Sequence, residues 1–293
     1  MSDIDRYIEI AKVCKASYAG PINQTLYTSN GIPYAGQRIV HGSFKRGFGR
    51  LFWGPKSATI VFRGTRDKID WFISNGKAFP VRLHDCDDPE NVRVHRGFQR
   101  TLKYIDKTTR LPCLDAMTLH LEKECLLDRP LLIVGHSLGG ALACLFAVKL
   151  RHRFPKYVTD NLTEIVTFGS PSVGNGAFLN HYSDLGHRTT RIVNRYDIVP
   201  FMPPFGFRHV GREIWLDGDQ ASSDIGWRRR LREARNSGDI RLLLRDHSMN
   251  AYLAALQQAK ASRALEALAA RTTELGATSI PVSPLPGAAP IQG

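Results

Sequence analysis

Ser137 is the residue whose neighbours best suit it to nucleophilic chemistry. It stands in Gly135-His136-Ser137-Leu138-Gly139, after the apolar run Leu131-Leu132-Ile133-Val134 and before Ala141 to Leu150, which is apolar nearly all round. The run reads as a buried strand and the later stretch as a helix inside the protein. A strand, the pattern G-x-S-x-G and a helix together make a sharp turn that lifts a serine hydroxyl clear of the sheet edge, with glycines where side chains would collide with neighbouring elements. The start of such a helix also points backbone N–H groups and the positive end of its dipole at a reacting carbonyl.

A serine hydroxyl needs a histidine to take its proton, and the histidine needs a carboxylate to fix its tautomer. After a nucleophile of this kind they follow in the order acid, then histidine. Asp197 lies in Ile192-Val193-Asn194-Arg195-Tyr196-Asp197-Ile198-Val199-Pro200, just past a predicted strand, where loops of a parallel sheet carry acidic groups. Among the later histidines, His152 and His187 fall in basic, surface-like stretches, His181 in a polar helix and His209 in a predicted strand. His247, in Arg245-Asp246-His247-Ser248-Met249, leads the last long helix and can reach the sheet edge from there. The alternatives are an aspartate capping a turn and a surface histidine near a helix cap.

The elements that must position these groups follow from periodicity. Ile4, Tyr7, Ile8, Ala11 and Cys14 predict an amphipathic helix over Ile4 to Tyr18, stopped by Gly20-Pro21. A hairpin over Gln37 to Trp53 feeds a strand at Ala58 to Phe62. One helix follows His95-Arg96-Gly97-Phe98 and another runs from Leu111 to Leu127, with strands at Glu164 to Phe168, Thr190 to Asn194 and Val210 to Leu216, and a last helix from Ser248 to Leu268. Strands alternating with helices imply an α/β protein with a mainly parallel central sheet and right-handed crossovers. One domain is expected over residues 1–271, and the Pro/Gly/Ala/Ser/Thr-rich stretch 272–293 is expected to be a disordered tail.

With 43% hydrophobic and 23% charged residues, the 293-residue chain can bury one large core, and its apolar runs fall short of the ~20 residues of a membrane span. Met1 to Arg6 is acidic where a signal peptide is basic, so a cytoplasmic location is expected. The five scattered cysteines lack metal-ligand spacing and read as small buried hydrophobes of a reducing compartment. The net charge of +13 suits an anionic lipid, nucleic acid or other acidic partner without choosing between them.

A set of segments spread through the chain resembles the class 3 lipase family. In order they are Ile60 to Thr65, Asp70-Trp71, Val94 to Phe98, Val134 to Ala143, Thr167 to Asn175, Arg191 to Pro200, and His247 with Tyr252. The resemblance implies an α/β-hydrolase fold with a Ser137–Asp197–His247 triad acting on esters of lipid-like acyl chains. It puts Thr65 at the family's oxyanion-hole position, with the backbone N–H of Leu138 as second donor. It treats His95 as structural. It places a lid helix at Arg66 to Asn75, where Ile69, Trp71, Phe72 and Ile73 would form an apolar face; an ordinary short core helix is the other reading of that stripe. The chain departs from the family at Ser172, where Arg is frequent, and lacks the cysteine framework of secreted fungal members.

Trp227 to Arg235 is the densest cationic stretch, and Arg228, Arg229 and Arg230 could meet anionic headgroups near the mouth of the site; a solvated helix face is the alternative. Nucleic acid is not expected, because no recognisable binding fold accompanies the charge. Three classes of function remain: a lipid acyl-ester hydrolase, a phospholipase A-type enzyme acting on anionic phospholipids, and a non-catalytic lipase-like binding module. No metal or other cofactor is expected, since the triad itself supplies base, nucleophile and oxyanion stabilisation.

Overall fold

A computed structural model of the chain describes residues 2–19, 25–41, 47–64, 79–84, 91–203, 205–217, 220–222, 232, 236 and 245–262. It opens on helix α1 (Asp3–Ala16), where Ser2 and Asp5 form a reciprocal capping box that satisfies two end N–H groups. Strands β1 (Gly36–His41), β2 (Gly47–Trp53) and β3 (Ala58–Phe62) follow, then a ribbon of β4 (Pro80–Arg82) and β5 (Arg93–His95). Helices α2 (Arg96–Leu102) and α3 (Cys113–Lys123) lead to β6 (Leu131–His136), α4 (Leu138–Arg153), α5 (Pro155–Asn161) and β7 (Leu162–Phe168). The chain continues through α6 (Gly176–His181), α7 (Ser183–Gly186), β8 (Thr189–Asn194), β9 (Arg212–Asp217) and β10 (Gln220–Ser222) to helix α8 at 249–262.

Among the described residues one sheet has the order β1-β2-β3-β6-β7-β8-β9-β10. Its centre, β3 through β9, is parallel, and antiparallel neighbours close both edges. The α/β architecture expected from the alternation of elements is therefore the one observed, with helices on both faces of the sheet. Strand side chains alternate between the two faces. Ile60, Phe62, Ile133 and Ile165 point into a core shared with α2, α3 and α4, which is buried from Gly139 to Leu150, while Val61, Val134, Val166 and Ile192 meet α1 and α8 on the other side. The parallel strands β6 and β8 are buried along their whole length, and in β6 this burial is written in the sequence as the continuous apolar run Leu131 to Val134.

Several boundaries move for local reasons. The helix expected from Leu111 starts at Cys113 after Pro112 and stops before Cys125, whose φ of 54° leaves the helical region. The strand expected from Val210 starts at Arg212, after Gly211 turns with φ 77°. His209 consequently lies outside any strand, and its Nε2 is 2.6 Å from the Pro200 carbonyl oxygen. Lys149, which interrupts an apolar run in the sequence, is buried within α4 and donates to the His84 carbonyl. Three of the described cysteines, Cys14, Cys113 and Cys144, are buried thiols as expected, whereas Cys125 is exposed. The tail at 272–293 lies outside the described residues.

His95 ends β5 and caps α2: its Nδ1 accepts from the Gly97 N–H at 3.1 Å, and its ring stacks on Phe98 with centroids 4.3 Å apart. Burial lowers its pKa to about 4. Because the unfolded chain takes up this proton near pH 6.5, stability is complete above that pH and falls as the pH drops towards 4. His95→Asn keeps a capping side chain without the titration. Denaturant unfolding at pH 7 and pH 4 is expected to show the wild type losing about 2–3 kcal/mol more than H95N over this interval.

Candidate active site

Strand β6 delivers Ser137 to the C-terminal edge of the sheet, and the chain turns there with Ser137 at φ 58° and ψ −132°. A non-glycine residue in this region costs of order 1–3 kcal/mol, which the surroundings must offset. They do so by fixing both sides of the turn: the Ser137 N–H donates to the Phe168 carbonyl at 2.9 Å, and the Gly140 N–H donates to the Ser137 carbonyl at 2.8 Å. The flanking glycines are sterically required. A methyl group at Gly135 would come 2.1 Å from the Gly139 carbonyl oxygen, and one at Gly139 would come 2.0 Å from that of Phe62. Leu138 is the first residue of α4, so its N–H has no intrahelical acceptor.

Asp197 follows β8 and is completely buried. A carboxylate removed from water needs donors in its place, and three are present. His247 Nδ1 lies 2.8 Å from both carboxylate oxygens, the Tyr252 hydroxyl donates to Oδ2 at 2.5 Å, and the Val199 N–H donates to Oδ1 at 2.9 Å. The Nδ1 contact assigns the His247 proton to that nitrogen and leaves Nε2 as a bare acceptor. Nε2 is buried and makes no hydrogen bond, so the bond from the Ser137 hydroxyl is not formed in this state. Such bonds are commonly long before substrate binds.

His247 owes its place to the start of α8, where the Ser248 hydroxyl accepts from the Ala251 N–H at 3.1 Å and leaves His247 just outside the helix. The preceding residue, Asp246, is tied to the end of β8: its carbonyl accepts from Asn194 Nδ2 at 2.9 Å, and its carboxylate faces the Tyr196 N–H at 3.4 Å. The His247 ring lies against that of His136, the residue before Ser137, tilted by 32° with centroids 4.7 Å apart. The structure thus brings Asp197 and His247 into contact beside the turn that carries Ser137.

Two contributors to this geometry have no assigned role in the sequence reading. Tyr252 both donates to Asp197 and accepts from the Asn194 N–H at 3.2 Å, and burial, reinforced by the neighbouring Asp197 charge, pushes its pKa well above the usual phenol value, so it stays a donor. Gly169, at φ 56°, lets the backbone pass under the pair: a methyl group there would lie 2.4 Å from Asp197 Oδ2 and 3.0 Å from His247 Nδ1. The segment Thr167 to Asn175 draws attention to Gly169, and Tyr252 is one helical turn beyond Ser248, but neither position reveals its contacts without the fold.

Thr65 and the residues Ile69, Trp71, Phe72 and Ile73 lie outside the described residues, as do Arg228, Arg229 and Arg230. Among the described residues no group of three or more His, Cys, Asp or Glu side chains is arranged to hold a metal ion, and no helix is long and apolar enough to cross a membrane.

The fold and site can be set beside known proteins. A lipase of Rhizomucor miehei is 34% identical over 163 residues, 55% of this chain and 42% of that protein. The solved triacylglyceride lipase of the same organism superposes with a TM-score of 0.58 at 26% identity, over 75% of this chain and 82% of that one. A secreted mono- and diacylglycerol lipase of Fusarium solani is 31% identical over 58% of this chain and 46% of its own. Phospholipase A1-Igamma2, a chloroplastic protein of Arabidopsis thaliana, is 30% identical over 56% of this chain and 37% of its own. The chain therefore spans less than half the length of the curated relatives it matches.

These relatives overturn the expectation of a cytoplasmic location. A protein named as secreted matches more than half of the chain, so the residues that build the fold do not mark a cytoplasmic protein. The physical reason is that a serine, histidine and carboxylate on this scaffold work alike in any aqueous compartment, and thiols buried in a core pack the same way in each. The sequence profile of the class 3 lipases matches residues 59–207, just over half the chain and the stretch that runs from β3 through the turn at Ser137 to the loop beyond Asp197, and the chain belongs to that family.

Proposed function

We propose that this chain is a serine carboxylic ester hydrolase acting on acyl esters of lipids. The observation that carries the reading is the arrangement around His247: Nδ1 bound to a buried carboxylate, and Nε2 buried but without a hydrogen-bond partner, on a ring that lies against His136 next to Ser137. In the proposed reaction Ser137 Oγ attacks the ester carbonyl carbon and gives its proton to His247 Nε2. Asp197 holds the imidazole in the tautomer that can accept this proton and stabilises the imidazolium that forms. The oxyanion is received by the backbone N–H of Leu138 and by Thr65; the loss of one such donor typically costs ~2.7–4 kcal/mol of transition-state stabilisation. Collapse of the tetrahedral intermediate breaks the bond to the alcohol, which leaves with the His247 proton. Water then repeats the sequence on the acyl-serine and releases the acid.

Glycerolipid esters are the substrate class we favour, in line with the triacylglyceride and mono- and diacylglycerol lipases among the relatives. A phospholipase A-type activity is the second reading, supported by the phospholipase A1 relative. The basic run containing Arg228, Arg229 and Arg230 supports contact with an anionic lipid surface, where each cation contributes about 1 kcal/mol. All three triad residue types are present, which disfavours a non-catalytic binding module.

Purified protein is expected to hydrolyse p-nitrophenyl esters, and Ser137→Ala to lower kcat by about 10³-fold or more. Undiminished turnover in S137A would remove Ser137 from the mechanism. Tyr252→Phe deletes one of the donors to Asp197 and is expected to lower kcat by about tenfold at similar KM, as the loss of one charge-assisted hydrogen bond implies. Mass spectrometry of a mixed neutral, phospho- and galactolipid digest separates the substrate classes by the acyl position lost. Charge reversal at Arg228 to Arg230 that leaves phospholipid turnover and its salt dependence unchanged would dispose of the surface contact.

A further inference from the structure

A hydrogen-bonded chain that the reaction above does not use joins three distant parts of the sequence at the site. Tyr18 follows the last turn of α1, with its N–H donating to the Lys15 carbonyl at 3.1 Å. Its phenol oxygen lies 2.7 Å from the Gly64 nitrogen and 2.5 Å from His136 Nδ1, and its ring meets the His136 ring edge-on at 5.7 Å. On the other side of that imidazole, Nε2 is 2.7 Å from the carbonyl oxygen of His247.

The direction of every bond follows from what each group can do. The His247 carbonyl can only accept, so His136 Nε2 carries a proton. His136 is fully buried and next to His247, which together push its pKa well below the ordinary histidine value, so it is neutral and Nδ1 accepts. Tyr18 must then donate to Nδ1, and its oxygen accepts from the Gly64 N–H. At this position a phenol meets both demands, whereas phenylalanine would leave the Gly64 N–H and His136 Nδ1 without partners.

The two ends of the chain are where an ester hydrolase requires accuracy. Gly64 lies directly against Ser137, and His247 carries the base. We propose that Tyr18 is a positioning residue of the site: through His136 it fixes the backbone of His247, and through Gly64 it fixes the strand end that packs against Ser137, where a methyl group on Gly64 would come 2.7 Å from Ser137 Cβ, so that base and nucleophile share one hydrogen-bonded frame. The inference rests on the hydrolase reading above. It extends that reading to a residue just beyond α1, outside the stretch matched by the family profile.

The test is steady-state hydrolysis of p-nitrophenyl butyrate by the full chain and its Tyr18→Phe, His136→Phe and doubly substituted variants. Tyr18→Phe is expected to lower kcat by about 10- to 100-fold with KM within about twofold, because small misplacement of catalytic groups acts on the transition state more than on binding. The double variant is expected to lose less than the product of the single losses, since both break the same chain. A parallel readout is the imidazole ¹⁵N spectrum, with His136 in its Nε2–H form in the wild type and altered in Y18F. An active wild type with Y18F at full kcat, or with single losses that multiply, overturns the positioning role alone. A wild type without esterase activity overturns the hydrolase reading, and the positioning role of Tyr18 with it. If His136→Phe fails to fold, the kcat of Y18F and its ¹⁵N spectrum decide the matter: either one unchanged overturns the proposal, and both changed upholds it.

Discussion

The close passage of β6 and α4 over the end of β3 governs the rest of the site. Backbone reaches backbone there at distances that exclude even a methyl group: at Gly139 such a group would lie 2.0 Å from the Phe62 carbonyl oxygen. The approach forces the chain to reverse within one residue, and that residue is Ser137, with φ 58°. A serine in this conformation is costly in isolation. It persists because β6 is paired on both sides by parallel strands and α4 is buried along almost its whole length, so the turn has no room to relax. The same compression brings the end of β7 close enough for the Phe168 carbonyl to receive the Ser137 N–H.

Electrostatics set the second constraint. Asp197 is fully buried, and a carboxylate in that position is tolerated only where donors replace its water. Those donors come from Val199, two residues along the same loop, and from His247 and Tyr252, some 50 residues later. The polar requirement of one side chain therefore ties the start of α8 to the end of β8. Asn194 and Asp246 strengthen the tie through backbone and side-chain contacts. His136 adds a neutral ring against the His247 ring, and Tyr18 extends the connected network to α1 on the outer face of the sheet. Helices α1 and α8 share one hydrophobic cluster, so burial of their apolar faces and placement of their polar ends are parts of the same packing.

Much of the site could be read from the chain itself. The turn at Ser137 declares itself locally, because a buried strand, two glycines and an apolar helix are contiguous and their meaning is steric. Asp197 and His247 stand out as candidates by chain order and by their places after a strand and before a helix cap. Boundaries were less secure where one residue decides them, as at Pro112, Cys125 and Gly211, because periodicity averages over several positions while a positive φ acts at one. Compartment did not follow from the sequence, since neither the triad nor buried thiols depend on it.

The sequence by itself determined the α/β architecture and singled out Ser137, Asp197 and His247 as candidates for one site, because those depend on local periodicity, turn stereochemistry and chain order. The tertiary structure alone decided that Tyr252 and Gly169 shape the environment of Asp197, and that Tyr18 reaches His136 across 118 positions. Such contacts join side chains on elements whose spacing in sequence carries no record of their approach. They exist only once the two hydrophobic faces of the sheet have been covered and the polar groups left at its edge have had to find partners in one another.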